Sequence, residues 1–261
     1  MGRQCLTMSE YDTFARFYDL EYQTFADDLD LYRNMAARAG SPVLELACGS
    51  GRVLVPLARA GHTVVGIDIS PPMLAIARER VADEEPGVQQ RISLIEGDMR
   101  RFRLAQRFRL AYYAINSFMH LTTPAEQARS LRCVHRHLQK DGLLLVDIFN
   151  PDLSLFDSSG RMFYERSLTD RQAGTTVTKM VTTWVDRAKQ VNHITFFYDE
   201  IGKDRGVQRT VAPITQRYLY RFEMEHLLER CGFGIEHIYG TLDLEEYASD
   251  SPKMIFVARR A

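Results

Sequence analysis

No stretch of this chain is apolar for long enough to span a bilayer, and its N-terminus lacks the apolar centre of a signal peptide. Both absences lead to the expectation of a cytoplasmic protein with no membrane partner. An excess of one charge is missing too: 33 Lys and Arg stand against 34 Asp and Glu, a net charge of −1. Near neutrality removes the field that draws basic proteins onto nucleic acid, so none is expected as a partner. Cysteine is sparse. Cys5, Cys48, Cys133 and Cys231 lie far apart, with no C-x-x-C pair and no clustering with histidine. They read as reduced thiols, so neither a disulfide framework nor a zinc site is expected, and no metal. Internal repeats and low-complexity segments are also absent. What remains is 261 residues, 45% hydrophobic, enough for one large globular domain with a real core.

The stretch that organises the chain is Val43–Asp68, VLELACGSGRVLVPLARAGHTVVGID. A short apolar run, Val43–Ala47, suits a buried parallel strand. Gly49 and Gly51 let the backbone turn tightly and approach a ligand, because neither carries a Cβ. A helix follows to about Ala60, with Pro56 tolerable only in or near its first turn. A second strand, Thr63–Ile67, ends on Asp68. Strand, glycine turn, helix, strand and terminal acid make a nucleotide-binding half of a doubly wound sheet, the acid accepting hydrogen bonds from ribose hydroxyls.

A dinucleotide fingerprint needs a third small residue, and Leu54 stands in its place. The pattern present is Glu45-x-Ala47-x-Gly49-x-Gly51. It resembles the first motif of the class I S-adenosylmethionine-dependent methyltransferases, with Ala47 where the family has its first glycine. Farther on, the third strand, Arg91–Glu96, ends in Gly97-Asp98-Met99. Gly-Asp at this point also resembles the family, in which the acid accepts from the adenine amino group. The resemblance implies S-adenosyl-L-methionine as cofactor. Glu45, Ala47, Cys48, Gly49, Gly51, Asp68, Gly97, Asp98 and Met99 are the binding positions it implies.

Ser70-Pro71 opens the next helix as N-cap and first residue, and the helix is expected to run to Pro86-Gly87. Ile69 and Met73 suit either ordinary core or contact with an adenine ring beside Asp68. In the first forty residues, Tyr11, Phe14, Phe17, Tyr18, Tyr22 and Phe25 recur at three- and four-residue intervals, predicting helix. They suit packing on the sheet. The Tyr-x(6)-Tyr-Asp-Leu pattern also resembles the leading helix of small-molecule methyltransferases, which folds over the cofactor. An electron-rich ring facing a sulfonium is a reasonable cation contact, and Tyr11 and Tyr18 are the candidates.

The run Arg100, Arg101, Arg103, Arg107 and Arg109 lies between predicted strands and reads as a solvated loop. The fourth strand, Leu110–Ile115, leads into Asn116-Ser117-Phe118-Met119-His120, at the strand end where such sheets place ligands. The Asn/Asp-Pro-Pro tetrad of nucleobase methyltransferases is missing here. The segment instead resembles that of small-molecule enzymes, including sugar-amine N-methyltransferases of antibiotic biosynthesis. His120 is either structural or the acceptor of a proton from an amine substrate, with Tyr11 orienting that substrate. His135 and His137 sit on a helix opened by the Thr123-Pro124-x-Glu126 box and read as surface or packing residues.

After a fifth strand, Leu143–Phe149, some seventy residues pass before the next helix, Phe222–Cys231. That span must carry its own structure, and it alternates as strands do over Thr175–Val185, Val191–Tyr198 and Ile214–Tyr220. Its aromatics (Trp184, Phe196, Phe197, Tyr198, Tyr218, Tyr220) suit insert core, a pocket wall or a contact between two copies, which leaves a homodimer open. Two closing strands, Gly234–Tyr239 and Lys253–Arg259, resemble the family's terminal hairpin. Ala173-Gly174-Thr175-Thr176-Val177-Thr178 and Asp204-Arg205-Gly206 resemble the sugar-amine branch.

The expected fold is α/β, a doubly wound, mostly parallel, seven-stranded Rossmann-like sheet with an antiparallel β insert after strand 5. Residues 1–150 and 222–261 form the cofactor-binding core and 151–221 an insert covering the active site, in one integrated domain. The expected function is transfer of a methyl group from S-adenosylmethionine to a small-molecule acceptor, with an amine or amino sugar the class the resemblance suggests. The competing readings are an NAD(P)-dependent oxidoreductase, opposed by Leu54 and by Gly97-Asp98, and a non-catalytic S-adenosylmethionine-binding protein.

Overall fold

The computed structural model describes residues 9–152, 159–171, 173–202 and 206–261. Cys5 and the Asp204-Arg205 pair lie outside the described residues. The chain opens with a 3-10 turn, Glu10–Thr13, followed by α1 (Ala15–Tyr22) and α2 (Leu29–Ala39). The aromatic period predicts helix here, and the structure divides it because its parts serve different partners. Phe14 and Phe17 pack with the insert, whereas Leu31, Met35 and Ala36 pack on the parallel sheet.

The core continues as β1 (Val43–Leu46), α3 (Leu54–Arg59), β2 (Val64–Asp68), α4 (Pro71–Ala82), α5 (Pro86–Gln89), β3 (Ile92–Glu96) and β4 (Phe108–Tyr113). A second 3-10 turn, Ser117–His120, precedes α6 (Pro124–His137) and β5 (Leu138–Phe149). The sequence signals at the helix starts are used as expected. Ser70 accepts the Met73 N–H and Thr123 accepts the Glu126 N–H, each satisfying a donor that the first turn leaves free. Two boundaries differ. The α4 helix stops at Ala82, with Pro86 opening the separate turn α5, and β5 begins at Leu138 and passes through Asp141 at φ 61°.

The insert carries β6 (Met162–Asp170), β7 (Thr175–Asp186), β8 (Val191–Ile201) and β9 (Val207–Arg217). The β6 strand was not anticipated, and β9 starts at Val207 instead of Ile214, while Tyr220 leaves the sheet to cap the next helix. The chain closes with α7 (Arg221–Arg230), β10 (Phe233–Tyr239) and β11 (Lys253–Arg260).

Seven strands form one sheet in the order β10-β11-β5-β4-β1-β2-β3, parallel from β5 to β3 and antiparallel at β11 and β10. The order reverses between β1 and β4, and the crevice at their C-terminal ends is where such a sheet holds a ligand. β1 is buried along its whole length, with Leu44 and Leu46 facing one apolar layer and Val43 the other.

The insert is a separate antiparallel sheet, β6-β7-β8-β9. Its inner face presents Val177, Tyr198, Ala212 and Ile214 to Phe14 and Phe17. Registered residues share a face, so the partners Trp184↔His193, Met180↔Phe197 and Phe197↔Val211 lie on the other side. There Trp184 is 56% and Val211 46% exposed. Exposure of Trp184 settles one open reading: this ring belongs to the insert's outer face, whereas Tyr198 is insert core.

Candidate cofactor and acceptor site

β1 ends in a turn that brings its backbone to the crevice. Ala47 (φ 56°), Gly49 (φ 52°) and Gly51 (φ 74°) all adopt left-handed conformations. Glycine does so at no steric cost, whereas Ala47 carries on the order of 1 kcal/mol of strain. At Gly51 the backbone angle is what calls for glycine, since a Cβ there would reach the Ala77 Cβ only at an ordinary contact distance of 3.4 Å.

Asp68, at the end of β2, is 8% exposed. Its Oδ2 accepts the Gly49 N–H and its Oδ1 the Ser70 N–H, both at 2.8 Å. Burial pushes its carboxyl up, against the pull of these backbone donors. Each oxygen retains a lone pair for a ribose hydroxyl. Ser70 in turn donates its hydroxyl to Asp12 at 2.6 Å, tying the N-terminal segment to the crevice.

Glu45 is 2% exposed, and its Oε2 has no hydrogen-bond partner among the described residues. Burial pushes its carboxyl up to about 8, although the nearby Tyr112 hydroxyl, which makes no hydrogen bond among the described residues, and the Arg52 guanidinium favour ionisation. A buried acceptor lacking a donor fits an incoming ammonium, such as the amino-acid end of S-adenosylmethionine. Arg52 itself is committed to Asp28 through two bonds of 2.6–2.7 Å and to the Phe25 carbonyl at 3.0 Å, which anchors the segment before α2.

These groups wall a cleft of about 760 Å³, counted to its open mouth. Tyr11, Tyr18, Glu45, Ala47, Cys48, Gly49, Asp68, Ile69, Met73, Met99 and His120 all line it. Gly97 and Asp98 line an adjoining cavity that shares Ala47, Asp68, Ile69, Met99 and His120, whereas Gly51 lines neither. Burial works to raise the Asp98 carboxyl, but Arg100 outweighs it through its backbone and side-chain N–H groups, at 2.8–2.9 Å. Arg100 also donates to Glu126 at 2.5 Å. At this arginine the solvated-loop reading is corrected: Arg100 is half-buried and organises Asp98.

Beyond β4 the backbone enters the left-handed region twice, at Ile115 (φ 40°) and Asn116 (φ 61°). A β-branched residue there is strained, and the surroundings hold it. Asp147, fully buried on β5, accepts the Ile115 N–H at 3.3 Å while taking bonds from Tyr32 (3.0 Å) and Lys253 (2.6 Å). The Asn116 side chain accepts the Phe149 N–H at 2.7 Å. This turn delivers His120 to the cavity.

The Tyr11 hydroxyl and His120 Nε2 are 3.1 Å apart. Burial raises the Tyr11 phenol well above its usual range and pushes the His120 imidazole down to about 4, the latter opposed by a hydrogen bond with the Thr215 backbone. Both are therefore neutral near pH 7. His137, by contrast, accepts the Leu104 N–H at 3.1 Å and is structural. Sequence reading did not find Glu10, Arg52, Ile115 or Gln216, and quoted Ser117 only as part of the His120 segment. Arg52 sits inside the motif itself and is the one whose position signalled a role.

A family profile described as "Methyltransferase domain" matches residues 43–142. A dTDP-3-amino-3,6-dideoxy-alpha-D-glucopyranose N,N-dimethyltransferase of Streptomyces fradiae is 30% identical over 234 residues, which cover 87% of this chain and 86% of that one. The CcbJ methyltransferase of Streptomyces caelestis shares the fold, with a TM-score of 0.79 at 22% identity over 97% of this chain and 98% of its own. So does S-adenosylmethionine-bound CalS10, an amino pentose methyltransferase of Micromonospora echinaspora, with a TM-score of 0.71 at 20% identity over the whole of both chains. The chain belongs to the S-adenosylmethionine-dependent methyltransferases, and S-adenosylmethionine is its cofactor. No described helix is long and apolar enough to cross a membrane.

Proposed function

We propose that the chain methylates the nitrogen of a small amine, with amino sugars the substrate class. The observation that carries this reading is the Tyr11–His120 pair, a neutral phenol and a neutral imidazole joined at 3.1 Å on the wall of the cofactor cleft. An amine must be unprotonated to attack and sheds a proton afterwards, so it needs a hydrogen-bonding group that orients it and a neutral group that accepts. S-adenosylmethionine supplies an already activated methyl group. The protein's remaining tasks are alignment and exclusion of water.

In this reading Glu45 receives the cofactor's ammonium, Asp68 the ribose hydroxyls, and Asp98 the adenine amino group, between Ile69 and Met73. Ala47, Cys48, Gly49, Gly97 and Met99 form the close backbone approach, and Tyr18 offers its ring near the sulfonium. The insert, 151–221, covers the acceptor side of a single integrated domain whose core is 1–150 and 222–261. The insert's exposed outer face, with Trp184 and Val211, suits an isologous homodimer. A small-molecule acceptor, not nucleic acid, is the partner. A cytoplasmic location is supported by Cys48, Cys133 and Cys231, all buried and free.

The test is a cofactor-consumption screen of purified protein against amines, phenols and carboxylates, including the dTDP-3-amino sugar named for the Streptomyces fradiae relative. Turnover confined to amines, with mass spectrometry placing the methyl on nitrogen, is the expected result. Turnover confined to phenols or carboxylates contradicts the amine reading.

A further inference from the structure

Two side chains that the sequence did not single out converge on the His120 ring. Gln216, on β9 and 8% exposed, brings its amide nitrogen to 3.3 Å from Nε2. An amide nitrogen only donates, so in this orientation it calls for a lone pair on Nε2 and hence for the ring proton on Nδ1. On that side Glu10 Oε2 lies 3.9 Å from Nδ1. The Thr215 N–H donates to the same Glu10 oxygen at 3.0 Å and fixes it, while the Glu10 side chain stays 43% exposed to water.

We infer that Glu10 and Gln216 are positioning residues for methyl transfer. They hold His120 as its Nδ1–H tautomer, so that a proton shed by the acceptor nitrogen enters at Nε2 by way of the Tyr11 hydroxyl and leaves from Nδ1 to Glu10. The inference rests on the reading that the Tyr11–His120 pair faces the acceptor nitrogen. In the step, the nitrogen lone pair forms the new bond to the methyl carbon while the carbon–sulfur bonding pair stays on sulfur, and the nitrogen becomes positive. Its proton passes to the Tyr11 oxygen as the Tyr11 proton passes to Nε2. The Nδ1 proton then passes to the Glu10 carboxylate and on to water. The Nδ1–H form returns when the ring regains a proton at Nδ1 from water through Glu10 and releases the one on Nε2 through Tyr11 to water.

Burial, only partly offset by the Thr215 backbone, leaves this imidazole a weak base, pushed down to about 4. A carboxylate one short movement from Nδ1 makes the cation tolerable as it forms. Of the other charged groups lining these cavities, Arg52 is committed to Asp28, and Glu45, with its Oε2 unpartnered, is assigned to the cofactor's ammonium. Asp68 accepts from backbone N–H groups, and Asp98 is held by Arg100. Tyr11, on the same turn as Glu10, remains a neutral phenol.

Long-range nitrogen–proton NMR of the isotope-labelled full chain with S-adenosylhomocysteine reads the tautomer directly, His120→Asn serving to assign the signals. Nε2 is expected bare and Nδ1 protonated near pH 7. Gln216→Glu sets a carboxylate against Nε2 and is expected to raise the ring's titration midpoint by at least about one unit. Glu10→Gln keeps an oxygen for the Thr215 N–H and is expected to lower the midpoint at unchanged melting temperature, which a merely structural Glu10 would not do. An Nε2–H tautomer in the parent, or a midpoint that neither substitution moves, overturns the inference. None of these readouts needs an acceptor, so failure of the amine reading registers separately in the consumption screen.

Discussion

Glu45 shows how a single buried carboxylate couples the cofactor site to pH. Its carboxyl is pushed up to about 8 by burial, so the folded protein binds this proton more tightly than the unfolded chain does. The stability it contributes to the cofactor-free protein is fully present below the ordinary glutamate range and is lost as pH rises toward about 8. The loss is on the order of a few kcal/mol. An ammonium placed at Oε2 reverses the preference and drives the proton off. At pH 7, calorimetry of S-adenosylhomocysteine binding in buffers of different ionisation enthalpy should therefore register about one more proton released by the parent than by Glu45→Gln. Equal proton counts would move the ammonium contact away from Glu45. The glycine-turn motif pointed to this residue, but not to its missing partner, because its burial is set only when β1 is enclosed between β2 and β4. Ala47 was legible only in part: its identity was plain, its left-handed backbone was not.

At the scale of elements, the N-terminal helix and the insert are joined by a buried ion pair that no local pattern announces. Lys179 on β7 is 3% exposed, and its Nζ lies 2.8 Å from Glu21 on α1 and 3.2 Å from Glu165 on β6. The same ammonium sits 4.2 Å from the Phe196 ring centroid. Lys179→Met leaves Glu21 only the half-exposed Arg166 guanidinium, 3.6 Å away, and should cost somewhat less than the roughly 3–5 kcal/mol of a buried charge left with no partner. The double variant Lys179→Met, Glu21→Leu should recover most of that loss, because paired apolar replacements carry no stranded charge. Denaturant unfolding checks both, and a single variant within about 1 kcal/mol of the parent would show that the pair is dispensable. The helix starts at Ser70 and Thr123 were legible because a cap is a local bargain between neighbours. β6 was not, because most of it is exposed and no apolar alternation marks it. The early part of β9 escaped for the same reason.

At the scale of the whole molecule, the parallel sheet holds the cofactor and the insert brings β9 to the 3-10 turn carrying His120. The cofactor half of the sheet was legible from motifs, with Glu45 inside β1 and Asp68 and Asp98 at and just beyond the ends of β2 and β3. The meeting of Glu10, His120 and Gln216 spans most of the chain and exists only once both sheets have formed. In the proposed mechanism, His120 is the point at which cofactor binding and methyl transfer separate. His120→Asn, assayed with the dTDP-3-amino sugar as acceptor beside calorimetry of S-adenosylmethionine, measures both. Cofactor affinity should stay near that of the parent, while turnover falls at least tenfold, roughly 1.4 kcal/mol on the barrier. A folded variant that binds cofactor and turns over within about a factor of two of the parent, well under 1 kcal/mol, would contradict the account.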